Sequence, residues 1–230
     1  MSAATPTARG ADLRHVDTWL FDLDNTLYPL ESGLAPRISE RITDFVERLT
    51  GLARDEARAL QKRYLAEHGL TLRGLMTHHG VDPDDYHAYL NEVDLAGLAV
   101  DPSLAPALQR LPGRRIIFTN ADEGHARRVL EQLRLAHLFD AVFHIADAAF
   151  EPKPSVLAFE RVMAAHDIAP GATAFFEDIE RNLEPAASLG MTTVLVGEHA
   201  LASSAPFVNF RTADLASFLA DATLREEPRA

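Results

Sequence analysis

Five short apolar runs, each closed by polar or acidic residues, constrain this chain more than any other feature. They are Val16–Phe21, Arg115–Phe118, Ala141–Ile145, Thr173–Phe176 and Thr192–Val196. Each is shorter than a typical buried helix and rich in β-branched or aromatic side chains, so each reads as a strand. From the second run onward, helical patterns fall between them, over Glu123–Leu135, Ser155–Ala165 and Arg181–Leu189. Near-continuous apolar strands alternating with helices specify an α/β fold with a doubly wound parallel sheet. Val208–Phe210 reads as a short extra edge strand, with Thr212 capping a last helix that runs through Leu219.

The alternation breaks once. More than 90 residues separate Phe21 from Arg115 without a strand-like run, too many for a simple crossover. The segment reads as helices over Leu34–Leu49, Arg54–Glu67, Leu72–His79 and Asp84–Glu92, followed by a proline-containing linker, Leu95–Pro106. The expected organisation is a core of residues 15–29 and 99–223, a helical insertion of residues 30–98 standing over one end of the sheet, and frayed tails at 1–14 and 224–230.

Composition removes several classes of function. Lys and Arg number 22 against 34 Asp and Glu, a formal net charge of −12. A nucleic-acid binder needs a basic face, so nucleic acid is excluded as a partner, whereas a small anion held by a few cations or a metal is not. The absence of cysteine removes disulfides, thiolate zinc sites and thiol nucleophiles. Neither a signal-peptide core nor an 18-residue apolar run is present, so the expectation is a cytoplasmic protein with no membrane span.

In a doubly wound sheet, ligands bind beyond the carboxyl ends of the strands, where the strand order reverses. The first run is followed by Asp22, Asp24 and Thr26, and the second by Thr119 and Asn120. The loop after the third run brings Lys153, one of only two lysines, set between two prolines. The fourth run leads into Glu177, Asp178 and Asn182. Asp22 and Asp24, two apart on an extended segment, point to the same side at about 6–7 Å. Crowded carboxylates need a cation or a shared proton, and with only oxygen ligands on offer Mg²⁺ is the natural choice. One carboxylate can attack phosphorus while a second serves as acid and then base. Thr119, Asn120 and Lys153 are suited to hold phosphoryl oxygens. A calcium loop would need Gly and Glu where Leu27 and Gly33 stand. His125, at the start of a helix above this rim, reads as either a substrate contact or a helix-surface residue. His78 and His79 face different ways on a helix, which argues against a shared metal.

These residues, in this order, resemble the four motifs of the haloacid dehalogenase superfamily: Asp22-Leu23-Asp24-Asn25-Thr26, Thr119-Asn120, Lys153, and Glu177-Asp178 followed by Asn182. The resemblance implies a Rossmann-like core with a type-1 helical cap in the insertion. It implies a Mg²⁺-dependent phosphomonoester hydrolase in which Asp22 is the nucleophile, Asp24 the acid and base, and Lys153 the counter-charge to the phospho-aspartate. Mg²⁺ would be held by Asp22, the Asp24 backbone carbonyl and Asp178, with Glu177 beside them. Thr26 and Asn182 would stand behind these groups, Asn182 positioning Asp178 or Lys153.

Phe21–Pro29 (FDLDNTLYP), Leu70–Met76 (LTLRGLM), His79 to Pro83 and Thr119–Leu133 are similar to the pyrimidine 5′-nucleotidase-like subfamily. That narrower resemblance implies pyrimidine nucleoside 5′-monophosphates as substrates. Tyr64, His68, Arg73, His78 and His79 offer groups suited to a ring with carbonyls. Sugar-phosphate or phosphoglycolate hydrolysis and phosphomutase chemistry are the alternatives on the same scaffold. A metal-independent dehalogenase would use Asp22 but needs no acid two residues on.

Overall fold

The computed structural model describes residues 10–225. Six strands, β1 (Thr18–Phe21), β2 (Arg114–Phe118), β3 (Ala141–Phe143), β4 (Thr173–Glu177), β5 (Thr192–Val196) and β6 (Phe210–Thr212), form one parallel sheet in the order β3-β2-β1-β4-β5-β6. The order reverses between β1 and β4, which pair in register with Phe21 opposite Phe176. That is the place where a sheet of this kind opens a crevice beyond its strand ends.

Both faces of the sheet are covered, which is why the runs are apolar without alternation. On one face Trp19, Phe21, Ile117, Phe176 and Val194 pack against α6 (Glu123–Gln132), α9 (Leu215–Asp221) and α5 (Leu104–Gln109). On the other, Leu20, Ile116, Phe118, Phe175 and Leu195 pack against α7 (Val156–His166) and α8 (Glu180–Ser188). The Phe21 and Phe176 rings stack at 4.7 Å directly beneath the rim, so the residues that follow them are launched from a rigid base.

Between β1 and β2 lie α1 (Leu34–Thr50), α2 (Arg54–His68), α3 (Thr71–His79) and α4 (Pro83–Leu90). They bury a separate cluster that includes Val46, Leu60, Tyr64, Leu72, Leu75 and Tyr86. Gly74 lets α3 close on α2, because a Cβ there would lie 2.3 Å from Cγ of Tyr64. The elbow between the two helices turns at Gly69, whose φ of +76° suits glycine.

Several boundaries differ from the sequence reading. β6 lies two residues later than expected, and α9 is capped by Asp214, whose carboxylate accepts from the Ser217 amide at 2.6 Å, rather than by Thr212. The end of the linker is helical: Pro106 falls in the first turn of α5, where its missing N–H is not needed. The N-terminal tail is packed from Ala11 onward. Leu13 is fully buried and its amide bonds the Thr223 carbonyl at 2.9 Å. The remainder of the two expected tails, residues 1–9 and 226–230, lies outside the described residues. Among the described residues no helix is long and apolar enough to cross a membrane.

Candidate active site

The carboxyl ends of β1 and β4 bring Asp22, Asp24, Glu177 and Asp178 to one rim, and the loop after β3 lays Lys153 across it. Lys153 is buried, and its three ammonium hydrogens are all used: they go to Asp22 Oδ1 at 2.7 Å, to the Phe118 carbonyl at 2.7 Å and to Glu177 Oε2 at 2.8 Å. The other Asp22 oxygen accepts from the Thr26 hydroxyl at 3.2 Å. The second Glu177 oxygen accepts from the Ile179 amide at 3.1 Å. Asp22 is thus held in one rotamer from two sides.

Burial, then the nearby Glu177 charge, push the Asp22 carboxyl up to about 7 in spite of Lys153. Burial also lifts Glu177 to about 7, against the pull of Lys153, and Asp178 to about 6, with Asp22 adding to the Asp178 shift. Burial alone would lower Lys153, yet its two carboxylate partners hold it above its ordinary value. Asp22, Glu177 and Asp178 each offer an oxygen within 4.8 Å of the others, and the side-chain oxygen of Asn25 is buried without a partner. A crowded, all-oxygen donor set that is short of positive charge fits a hard divalent cation.

Asp24 sits differently. One of its oxygens accepts both the Tyr28 hydroxyl at 2.5 Å and His125 Nε2 at 2.8 Å. Burial opposes the Asp24 charge, but His125 and Tyr28 outweigh it and lower the Asp24 carboxyl. The same contact raises His125 against its own burial. His125 is therefore not a surface residue, and its Nε2 is taken by Asp24. It is placed by α6, whose N-cap Asp122 accepts the His125 amide at 3.2 Å and the Asn91 side chain at 2.8 Å.

Two expected phosphate contacts each hold nearby backbone. The Asn120 side chain bonds the backbone of Lys153 reciprocally, accepting from its amide at 2.9 Å and donating to its carbonyl at 3.3 Å. Asn120 therefore positions the lysine loop. Thr119 is buried, and its hydroxyl oxygen accepts from the Ala121 amide at 3.0 Å, leaving the hydroxyl hydrogen to give away. The side-chain oxygen of Asn182 is buried without a partner, and Lys153 has no hydrogen left for it.

The insertion candidates are engaged with one another or with the lysine loop. Tyr64 is buried in the insertion and shares a hydrogen bond with His79 at 3.0 Å. His68 meets His78. Arg73 makes a bidentate pair with Glu151, at 3.1 and 2.9 Å, two residues before Lys153.

Tyr28 and His199 were not anticipated as site residues. Tyr28 falls four residues after Asp24 within the first motif segment, a spacing that could have marked it. His199 donates from Nε2 to the Asp178 carbonyl at 2.6 Å; its signal is that it follows β5 closely, after Gly197.

The site is four carboxylates and a buried lysine at the switch point of a parallel sheet. The chain belongs to the haloacid dehalogenase-like hydrolase family, whose pattern matches residues 16–190. It is 28% identical over 193 residues to phosphate metabolism protein 8 of Saccharomyces cerevisiae, an alignment covering 77% of this chain and 60% of the yeast protein. Among solved structures it is similar to a HAD phosphatase from Thermococcus onnurineus, with a TM-score of 0.61 at 21% identity over 86% of this chain and 94% of that one. It is similar too to the L-2-haloacid dehalogenase of Xanthobacter autotrophicus, with a TM-score of 0.56 at 19% identity over 89% and 97% of the two chains.

Proposed function

We propose that the chain is a Mg²⁺-dependent phosphomonoesterase acting through an aspartyl phosphate on Asp22. The observation that carries the reading is the arrangement around Asp24. A departing halide needs no proton, whereas a departing alkoxide does. Two residues, Tyr28 and His125, fix one Asp24 oxygen and leave the other for proton transfer at the rim.

In this reading an Asp22 oxygen attacks phosphorus and the ester P–O bond breaks. Asp24, protonated on its free oxygen, gives that proton to the leaving oxygen, while Tyr28 and His125 hold the other oxygen in place. Asp24 then takes a proton from water as that water attacks phosphorus, the Asp22–phosphorus bond breaks and phosphate leaves. Asp22, the Asp24 backbone carbonyl and Asp178 would hold Mg²⁺, whose charge offsets that of the phosphoryl oxygens. Both Glu177 oxygens already accept hydrogen bonds, so Glu177 serves as the second anchor of Lys153. The Thr119 hydroxyl donates to a phosphoryl oxygen. Residues 30–98 act as the cap over a core of 15–29 and 99–223, excluding water during attack.

The finer reading is that the ester is a pyrimidine nucleoside 5′-monophosphate. Its support is the resemblance carried by Phe21–Pro29 and Leu70–Met76, together with the yeast relative's name, which places that protein in phosphate metabolism. Tyr64, His79 and Arg73 support it less, since each is engaged elsewhere.

The test is a panel of phosphate esters assayed with Mg²⁺ and with chelator. Hydrolysis only with Mg²⁺, lost in Asp22→Asn, is expected. Ester hydrolysis indifferent to chelator would overturn the Mg²⁺ dependence, and an Asp22→Asn variant keeping a tenth of the activity would remove Asp22 from the nucleophile role. A higher kcat/KM for AMP, GMP or sugar phosphates than for both UMP and CMP would remove the pyrimidine reading alone.

A further inference from the structure

The histidines of the insertion stand outside the proposed chemistry, and their geometry has a use of its own. His68 ends α2 and His78 lies near the end of α3. Adjacent His78 and His79 do point apart, as helix geometry requires. His79 turns to the Tyr64 hydroxyl, while His78 turns to the other helix and brings its Nε2 to 3.3 Å from Nε2 of His68. That is long beside the range of about 2.7–3.2 Å for an N–H···O bond. Two imidazole nitrogens at about 2.0–2.1 Å from one tetrahedral ion stand about 3.3–3.4 Å apart.

The two rings are braced before any ligand arrives. Tyr64, buried and tied to His79, stacks on His78 at 5.2 Å and 13° and meets His68 edge-on at 5.9 Å and 72°. Both imidazoles reach solvent, so water can complete the coordination.

We propose that His68 and His78 form a binding site for a divalent transition-metal ion of the imidazole-preferring kind, Zn²⁺, Ni²⁺ or Cu²⁺, that clips the end of α2 to the end of α3. Mg²⁺ prefers oxygen donors and is not a ligand for it. The two centres of the chain therefore sort metals by donor chemistry, oxygen at the rim and nitrogen on the insertion. The His68 end of the clip adjoins the elbow that meets the lysine loop. A Cβ on Gly69 would come within 2.9 Å of Pro152, and Arg73 holds Glu151. A metal there stiffens the part of the insertion that rests against the segment leading into Lys153.

The experiment is Zn²⁺ titration by calorimetry in excess Mg²⁺, with thermal denaturation in parallel, on the full chain, His68→Gln, His78→Ala, His79→Ala and Asp178→Asn. One equivalent of Zn²⁺ and a rise in Tm are expected for the parent, His79→Ala and Asp178→Asn. His68→Gln and His78→Ala should each weaken that equivalent by more than the ~100-fold that loss of an outer hydrogen-bond partner can cause. Intense visible bands on Co²⁺ substitution, lost in the same two variants, would identify tetrahedral coordination. The proposal is overturned if the parent takes up no Zn²⁺ in excess Mg²⁺. It is equally overturned if the equivalent survives in His68→Gln and His78→Ala but disappears in Asp178→Asn, because the ion then belongs to the carboxylates.

Discussion

The rim and the insertion both gather polar side chains, and they hold them in opposite ways. At the rim the partners come from different strands and loops: Lys153 reaches Asp22 across 131 positions of sequence and Glu177 across 24. In the insertion the partners are local, Tyr64 with His79 and His68 with His78, all within α2 and α3. Long-range pairing of buried charges costs desolvation and needs the whole sheet in register before it repays. Local pairing of half-exposed groups needs only two helices. A function that depends on the first arrangement is tied to the fold, while the second can change without disturbing it.

The contrast breaks first at Asp24. Asp24→Asn should lower kcat at least ~10²-fold, the scale of lost acid–base help. His125→Ala should lower kcat by less and leave KM near its starting value, because His125 acts through Asp24. A rise in KM with unchanged kcat would place His125 against the substrate instead.

Next in size is Lys153→Met, which leaves Asp22 and Glu177 facing each other inside the protein. A loss of about 3 kcal/mol in urea unfolding is expected, and adding Glu177→Gln should recover part of it. Two losses that simply add would mean that Lys153 and Glu177 are not energetically coupled.

The third effect is on pH and metal. Folded Asp22, Glu177 and Asp178 titrate near 7, 7 and 6, above an ordinary carboxylate. Between about pH 4 and 7 the folded state keeps protons that the unfolded chain has released, so these groups make stability fall as pH rises through that window. A bound divalent cation removes the penalty. The gain in Tm from Mg²⁺ over EDTA should therefore be larger at pH 8 than at pH 5; an equal gain would place the cation elsewhere.

The smallest effect belongs to the insertion. Arg73→Ala breaks a partly exposed bidentate pair with Glu151 and should cost no more than ~1 kcal/mol in urea unfolding.

Much of this was legible before any coordinates. The strands were visible because both faces of the sheet are buried, which leaves uninterrupted apolar runs such as Thr192–Val196. The rim carboxylates were visible because each directly follows such a run. What escaped is pairing at a distance. Nothing local to His125 says that its ring reaches back 101 positions to Asp24, and the Asn120 amide looks equally suited to a phosphate or a backbone. The helix α5 was missed because Pro106 reads as a breaker unless its place in the first turn is known. The insertion residues share a polar, aromatic composition, but whether such groups face a ligand or one another depends on helix packing, here on Gly74 admitting Tyr64.

The helical segment leaves the sheet after β1 and returns to it before β2, the strand lying directly alongside. Pro29–Glu31 and Ala99–Asp101 line one cleft, so the two ends of the insertion are neighbours, and its removal or replacement alters no strand's partner. Such a segment can be exchanged in evolution as a cassette: the rim inherits its reaction unchanged while the cover over it is rewritten, so chemistry and choice of substrate can diverge along one chain at different rates.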